Sequence, residues 1–152
     1  MMREEAAERS GMHIVLEHTT VLAASCDEVW AVLADLSGWV DWNVVHPDPS
    51  RPMVAGGRTR LRLALRPGRV VTVPVRWEEV SPGRALSWSG GPHRLLHAHH
   101  GFELTPAGTG CRLRHHETFS GALSGPLLRV AEATLLARYR EVNGALARRV
   151  GG

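Results

Sequence analysis

Residues 124–150 read SGPLLRVAEATLLARYREVNGALARRV, and the reading of this stretch decides the fold. Leu128, Ala131, Leu135, Tyr139, Val142, Leu146 and Val150 recur at spacings of three and four, one apolar stripe of a helix. Most of the charged residues, among them Arg129, Glu132, Arg138, Arg140 and Glu141, fall off that stripe. Ser124 suits the N-cap and Pro126 the first turn, while Arg148 and Arg149 complement the dipole at the C-terminal end. At 1.5 Å per residue such a helix is about 40 Å long, too long for one neighbour to cover. A broad partner has to wrap it.

The residues upstream supply that partner as strands. HIVLEHTTVL at 13–22 is β-branched and apolar, although its alternation is poor. RTRLRLAL at 58–65 sets Leu61, Leu63 and Leu65 against Arg58, Arg60 and Arg62, the period of a half-buried strand. VVTVPVRWEEV at 70–80 places Val71, Val73, Val75 and Trp77 on one face, and the off-parity Val80 predicts a bulge at Glu78 or Glu79. ALSWSG, RLLHAHHGFEL and CRLRHHETFSG follow, separated by turns rich in glycine and proline. Between the first and second strands lies ASCDEVWAVLADLSGW. Ser25 and Glu28 form a capping box, Val29, Trp30, Val32, Leu33 and Leu36 have helical spacing, and Gly38 is the expected stop. A second short helical turn around Trp39–Trp42 leads to Asn43 and the proline-rich loop VVHPDPSRPM. The predicted order is β-α-α-β-β-β-β-β-α, an α+β fold of about six strands.

Length and composition agree with one domain, residues 12–152, preceded by a frayed polar extension at 1–11. The chain shows no signal-peptide pattern and no run long enough for a membrane span. Cys26 and Cys111 are far apart in sequence and read as reduced thiols, which places the protein in the cytoplasm as a monomer or homodimer. All eighteen basic residues are arginine. The absence of lysine excludes Schiff-base or lysine-amine catalysis. The arginines are dispersed and do not interleave with exposed aromatics, so no nucleic-acid partner is expected. The chain holds no G-x-S-x-G, H-E-x-x-H or C-x-x-C. His97 and His99 lie on the outward face, away from His100, and neither a metal site nor a cofactor is predicted.

Parity nominates the residues that carry chemistry. With Phe102 and Leu104 inward, His100 is inward too; with Leu113 and Phe119 inward, His115 and Glu117 join them. Arg112, Arg114 and His116 then face water. Two hairpin registers are open. A four-residue loop pairs Pro106 with Cys111 and puts His100 opposite Glu117; a two-residue loop pairs Pro106 with Thr109 and puts His100 opposite His115. The first is favoured because it gives a buried carboxylate a partner. The cluster has two readings: mutual satisfaction that keeps the fold, or acid–base groups inside an apolar cavity. Trp42, Asn43, Trp77, Trp88, Phe102, Phe119, Leu135 and Tyr139 are the candidate ligand-binding residues around it.

The pattern A-S-x-x-E-V-W-A-V-L-A-D-L at 24–36 is joined by W-N at 42–43, V-x-P-G-R-x-L-x-W at 80–88, H-x-F-E-L at 100–104 and E-x-F-S-G at 117–121. Together they resemble the START/SRPBCC helix-grip superfamily, in its polyketide cyclase/dehydrase-like bacterial group. The resemblance implies a curved antiparallel sheet wrapped around the C-terminal helix, with an apolar cavity between them. It also implies a hydrophobic small-molecule ligand and, if there is catalysis, cofactor-independent cyclisation, dehydration or isomerisation. His100, His115 and Glu117 would then be the catalytic residues, with Asn43 bonding a carbonyl. A carrier or sensor of a lipid-like ligand and a protein-interaction module are the other functions such domains imply. Relatives carry proline after the W-N pair, whereas Val44 stands here.

Overall fold

The computed structural model describes residues 3–10 and 13–151. Eight strands form one antiparallel sheet: β1 (Arg3–Ser10), β2 (His13–Leu22), β3 (Val45–Pro47), β4 (Arg58–Arg66), β5 (Arg69–Ser81), β6 (Ala85–Gly90), β7 (His97–Ala107) and β8 (Gly110–Ser120). Their spatial order is β1-β2-β8-β7-β6-β5-β4-β3, so β2 pairs with the last strand. Two helices complete the chain, α1 (Cys26–Ala34) and α2 (Ser124–Gly151), with a 3₁₀ turn at Leu36–Asp41 after α1.

The six expected strands are present, and two more occupy the two edges. Residues Arg3–Ser10 are not a frayed extension but pair with β2 over their whole length. Val45–Pro47, expected as loop, pairs with β4. An edge strand needs only one neighbour's ladder, so neither a polar segment nor a short one containing proline is barred from that position. The expected bulge is found where β5 shifts register against β6 between Trp77 and Glu79. The side chain of Leu65, assigned inward by period, lies outside the described set.

Helix α1 starts at the predicted capping box. Ser25 Oγ accepts from the Glu28 N–H at 3.3 Å, and the Glu28 carboxylate accepts from the Ser25 N–H at 2.8 Å. It ends at Ala34, before Gly38, which belongs to the 3₁₀ turn. At the start of α2 the Ser124 hydroxyl donates to the Gly121 carbonyl at 2.7 Å.

One expectation is overturned outright. Cys26 and Cys111 are not free thiols but form a disulfide with Cα atoms 5.0 Å apart, tying the first turn of α1 to the start of β8. Separation of 85 residues in the chain carries no information about separation in space once β8 returns beside β2. This removes the thiol argument for a reducing compartment. No described helix is long and apolar enough to cross a membrane.

The core lies in two parts. The larger gathers Val29, Leu33, Trp39, Trp42, Trp77, Leu86, Phe102, Leu113 and Leu146; the smaller joins Ile14, Leu16, Phe119, Leu128 and Tyr139. Helix α2 packs on β2 and β8 and against α1. Its buried residues cluster toward its two ends, at Ser124 and Leu128 and again at Tyr139, Val142, Asn143 and Leu146. Leu135 and Leu136 between them are only half-buried against the smaller cluster, and a cavity opens between this part of the helix and β4 and β5.

Candidate functional site

The cavity measures about 390 Å³. Leu61 and Leu63 of β4 and Val73 and Val75 of β5 form its apolar floor, and Leu135, Tyr139 and Val142 of α2 form its roof. Its polar wall is His100 from β7 with His115 and Glu117 from β8. The hairpin adopts the favoured register: Pro106 lies opposite Cys111 and His100 opposite Glu117. The loop itself is shorter than expected, since Ala107 pairs with Gly110 and only Gly108 and Thr109 turn the chain. Gly108 has φ 61°, the left-handed conformation such a tight turn favours in glycine.

The two electrostatic alternatives meet in one ring. His100 Nδ1 lies 3.4 Å from Glu117 Oε2, and its Nε2 lies 2.5 Å from His115 Nε2. Tyr139 donates its hydroxyl to Glu117 Oε1 at 2.5 Å. His115 Nδ1 faces Asn143 Oδ1 at 3.1 Å, and Asn143 Nδ2 donates to the His18 carbonyl at 3.1 Å. Trp88 stacks on His100 with centroids 4.6 Å apart and planes within 9°, which fixes the ring's orientation. The row therefore runs Tyr139–Glu117–His100–His115–Asn143. Neither Asn143 nor the inward-facing His18 and Thr20 of β2 is evident from sequence. The available signal is that Asn143 sits beside Val142 on the helical stripe, where an amide must find partners.

Burial pushes the Glu117 carboxyl up, but the facing His100 and the Tyr139 hydroxyl outweigh it and hold the group below its ordinary value. Burial and the carboxylate beside it raise the Tyr139 phenol. Burial, reinforced by the neighbouring His100, drives His115 well below 6.5 despite its bond to Asn143. His116 is likewise lowered to about 4 by burial and the adjacent Arg114. That corrects its assignment to water: it lies on the outer face but is buried over Gly101, where a Cβ would sit 2.9 Å from its Nε2.

A stability consequence follows from the two histidines. Their folded values lie below the unfolded value of 6.5, so their contribution is complete above that pH and is lost as pH falls below it, for His116 through the window down to about 4. Each steepens the fall by about 1.4 kcal/mol per pH unit inside its window. Urea-unfolding midpoints should therefore drop between about pH 6.5 and pH 4.5, and, since burial lowers His99 as well, His116→Gln should remove part of that slope. A flat profile would contradict two buried neutral imidazoles.

The other candidates divide by depth. Asn43, Trp88, Phe119, Leu135 and Tyr139 line the cavity, as do His100, His115 and Glu117. Trp42, Trp77 and Phe102 do not. They are core residues behind it, with Trp42 and Phe102 at 6.4 Å and Trp77 edge-on to Trp88 at 5.7 Å. Parity tells inside from outside but not wall from core. Asn43 Oδ1 is occupied by the Val45 N–H at 3.0 Å, leaving its amide nitrogen as the donor for a ligand carbonyl. Val44 is itself part of the lining. Among the described residues no group of three or more histidine, cysteine or acidic side chains could hold a metal ion.

A family model described as polyketide cyclase / dehydrase and lipid transport matches residues 13–151. No curated protein matches the chain. Among solved structures the chain is similar to a protein of Arthrobacter aurescens, at 14% identity and a TM-score of 0.72, covering 96% of this chain and 91% of that one. It is similar to CalU16 of Micromonospora echinospora at 16% identity and a TM-score of 0.65, covering 99% and 94%. It is also similar to DynU16, a protein in the dynemicin biosynthetic locus, at 21% identity and a TM-score of 0.68. That match covers 90% of this chain and 47% of DynU16. At these identities the likeness shows the wrapped-helix fold.

Proposed function

The chain belongs to the polyketide cyclase / dehydrase and lipid transport family, and from that premise we propose that it binds a hydrophobic small molecule between sheet and helix and carries out acid–base chemistry on it. The observation that carries this reading is a row of linked proton-holding groups, Tyr139, Glu117, His100 and His115, on one wall of a largely apolar 390 Å³ cavity. Apolar walls select the ligand by desolvation and shape. Trp88, held flat against His100, favours a planar or polycyclic body. Glu117 would take and return the proton that a cyclisation, dehydration or isomerisation requires, His100 and His115 would orient and tune it, and Asn43 would bond a carbonyl. DynU16, through its biosynthetic locus, suggests the same direction.

A second reading, a carrier that releases its ligand unchanged, is favoured by the lipid transport in the family's description and by the scarcity of polar groups on the floor. Both readings need an occupant. Denaturing the purified protein and analysing the extract by mass spectrometry should recover an apolar molecule. Incubating the native protein with that molecule then separates the readings, because an enzyme returns an isomer or dehydrated product and a carrier returns the input. A cavity that retains nothing and takes up no apolar probe would defeat both.

A further inference from the structure

The hydrogen positions in the polar row follow from its last member. Asn143 is fully buried, and its Nδ2 donates to the His18 backbone carbonyl, an atom that can only accept. The amide is thereby fixed, and its Oδ1 faces His115 Nδ1 at 3.1 Å. An amide oxygen brings no proton, so Nδ1 must carry one. A neutral imidazole has a single N–H, which leaves His115 Nε2 bare. His100 Nε2, 2.5 Å away, must then be the donor in that contact. His100 Nδ1 is turned to Glu117 Oε2, and Tyr139 spends its hydroxyl hydrogen on Oε1.

All four ring nitrogens are thus committed along the row, and none presents a hydrogen to the cavity. Along this row what remains toward the ligand is acceptor capacity: two of the roughly four lone-pair sites of the Glu117 carboxylate, and the oxygen of Tyr139; the donors of the lining, Arg138 and the Asn43 amide nitrogen, lie off the row. The side chain of Glu117 is 14% exposed and that of His100 12%, whereas His115 is 2% exposed as a whole. We propose that Asn143, His115 and His100 are positioning residues, and that the cavity takes a ligand whose polar end is an acidic hydroxyl, phenolic or enolic, donated to Glu117 and Tyr139. This rests on the reading of the cavity as a ligand site and specifies the polarity of its ligand. Within that reading Glu117 is the base that meets the substrate, and the histidines keep its carboxylate oriented.

The experiment uses the full chain and two probes of one shape, 2-naphthol and its O-methyl ether, titrated by isothermal calorimetry. The naphthol should bind at least about tenfold more tightly, as expected for a charge-assisted hydrogen bond that the ether cannot make. Glu117→Gln should narrow that preference, and Tyr139→Phe provides a second variant if the first fails to fold. Equal binding of the two probes overturns the donor assignment while leaving the cavity reading intact. Binding of neither overturns both. Independently of any ligand, nitrogen-15 NMR of the histidine rings should show His115 protonated at Nδ1 and bare at Nε2. The opposite tautomer would overturn the ladder that Asn143 sets.

Discussion

Reduction of the Cys26–Cys111 disulfide is expected to lower the unfolding free energy by about 4 kcal/mol. The bond closes a loop spanning 85 residues, from the first turn of α1 to the first residues of β8. Cross-linking so long a loop removes much of the unfolded chain's freedom, and the loss grows with the logarithm of loop length. The folded state loses little on reduction. Cys111 is fully buried and Cys26 packs against the same core cluster, so two thiols would remain there as small apolar groups. Helix α1 has only nine residues, with Val29 and Leu33 as its buried contacts, and it depends on being pinned. Urea unfolding with and without a phosphine reductant measures the difference, and a Cys26→Ala, Cys111→Ala variant should match the reduced protein. Coincident oxidised and reduced curves would show that the bond does not constrain the unfolded chain. An intact mass that gains no hydrogens on reduction would show that it does not form.

The disulfide also marks the limit of what sequence alone conveys. Periodicity reports which face of an element is apolar, and for β4, β5 and β8 that was enough to place Leu61, Val73, Val75 and Leu113 correctly. In β2 burial alternates without a break, from Ile14 through Leu16, His18 and Thr20 to Leu22. The sequence shows poor alternation there because two inward positions are polar. One of them, Thr20, has a side chain that Asn143 approaches at 3.5 Å; at His18 Asn143 bonds the backbone carbonyl, which any residue would offer. The blurred pattern is therefore in part a trace of the site, legible only with Asn143 in view. Edge strands escape for a different reason. β1 and β3 have a neighbour on one side alone, so neither needs the inward apolar face that a central strand requires. The cavity wall was only partly legible, since Trp77 and Trp88 share a parity while only Trp88 reaches the open space.

The helix illustrates the same distinction between face and depth, and it yields the largest effect. Leu146→Asp is expected to abolish cooperative folding. Leu146 is 0% exposed and belongs to the cluster of Leu33, Trp39 and Leu113, where α2 closes on α1 and the sheet. A carboxylate there would have to be buried unpaired or neutralised, and removing the leucine contacts adds a cavity cost of about 2–5 kcal/mol by itself. That exceeds half the stability of many small domains. On the stripe Leu135 looks equivalent, and periodicity alone sets it between helix and sheet. The structure instead leaves it half-buried, at the margin of the smaller core cluster and lining the cavity that β4 and β5 floor. Leu135→Asp should therefore retain a folded circular dichroism spectrum and a cooperative melt, while uptake of an apolar probe such as 2-naphthol is lost. The two variants together separate packing from binding, because they put the same charge on the same stripe eleven residues apart. Loss of folding in Leu135→Asp, or a parental melting temperature in Leu146→Asp, would mean that the helix meets the sheet at its middle and not at its ends, and there would be no cavity left for a ligand.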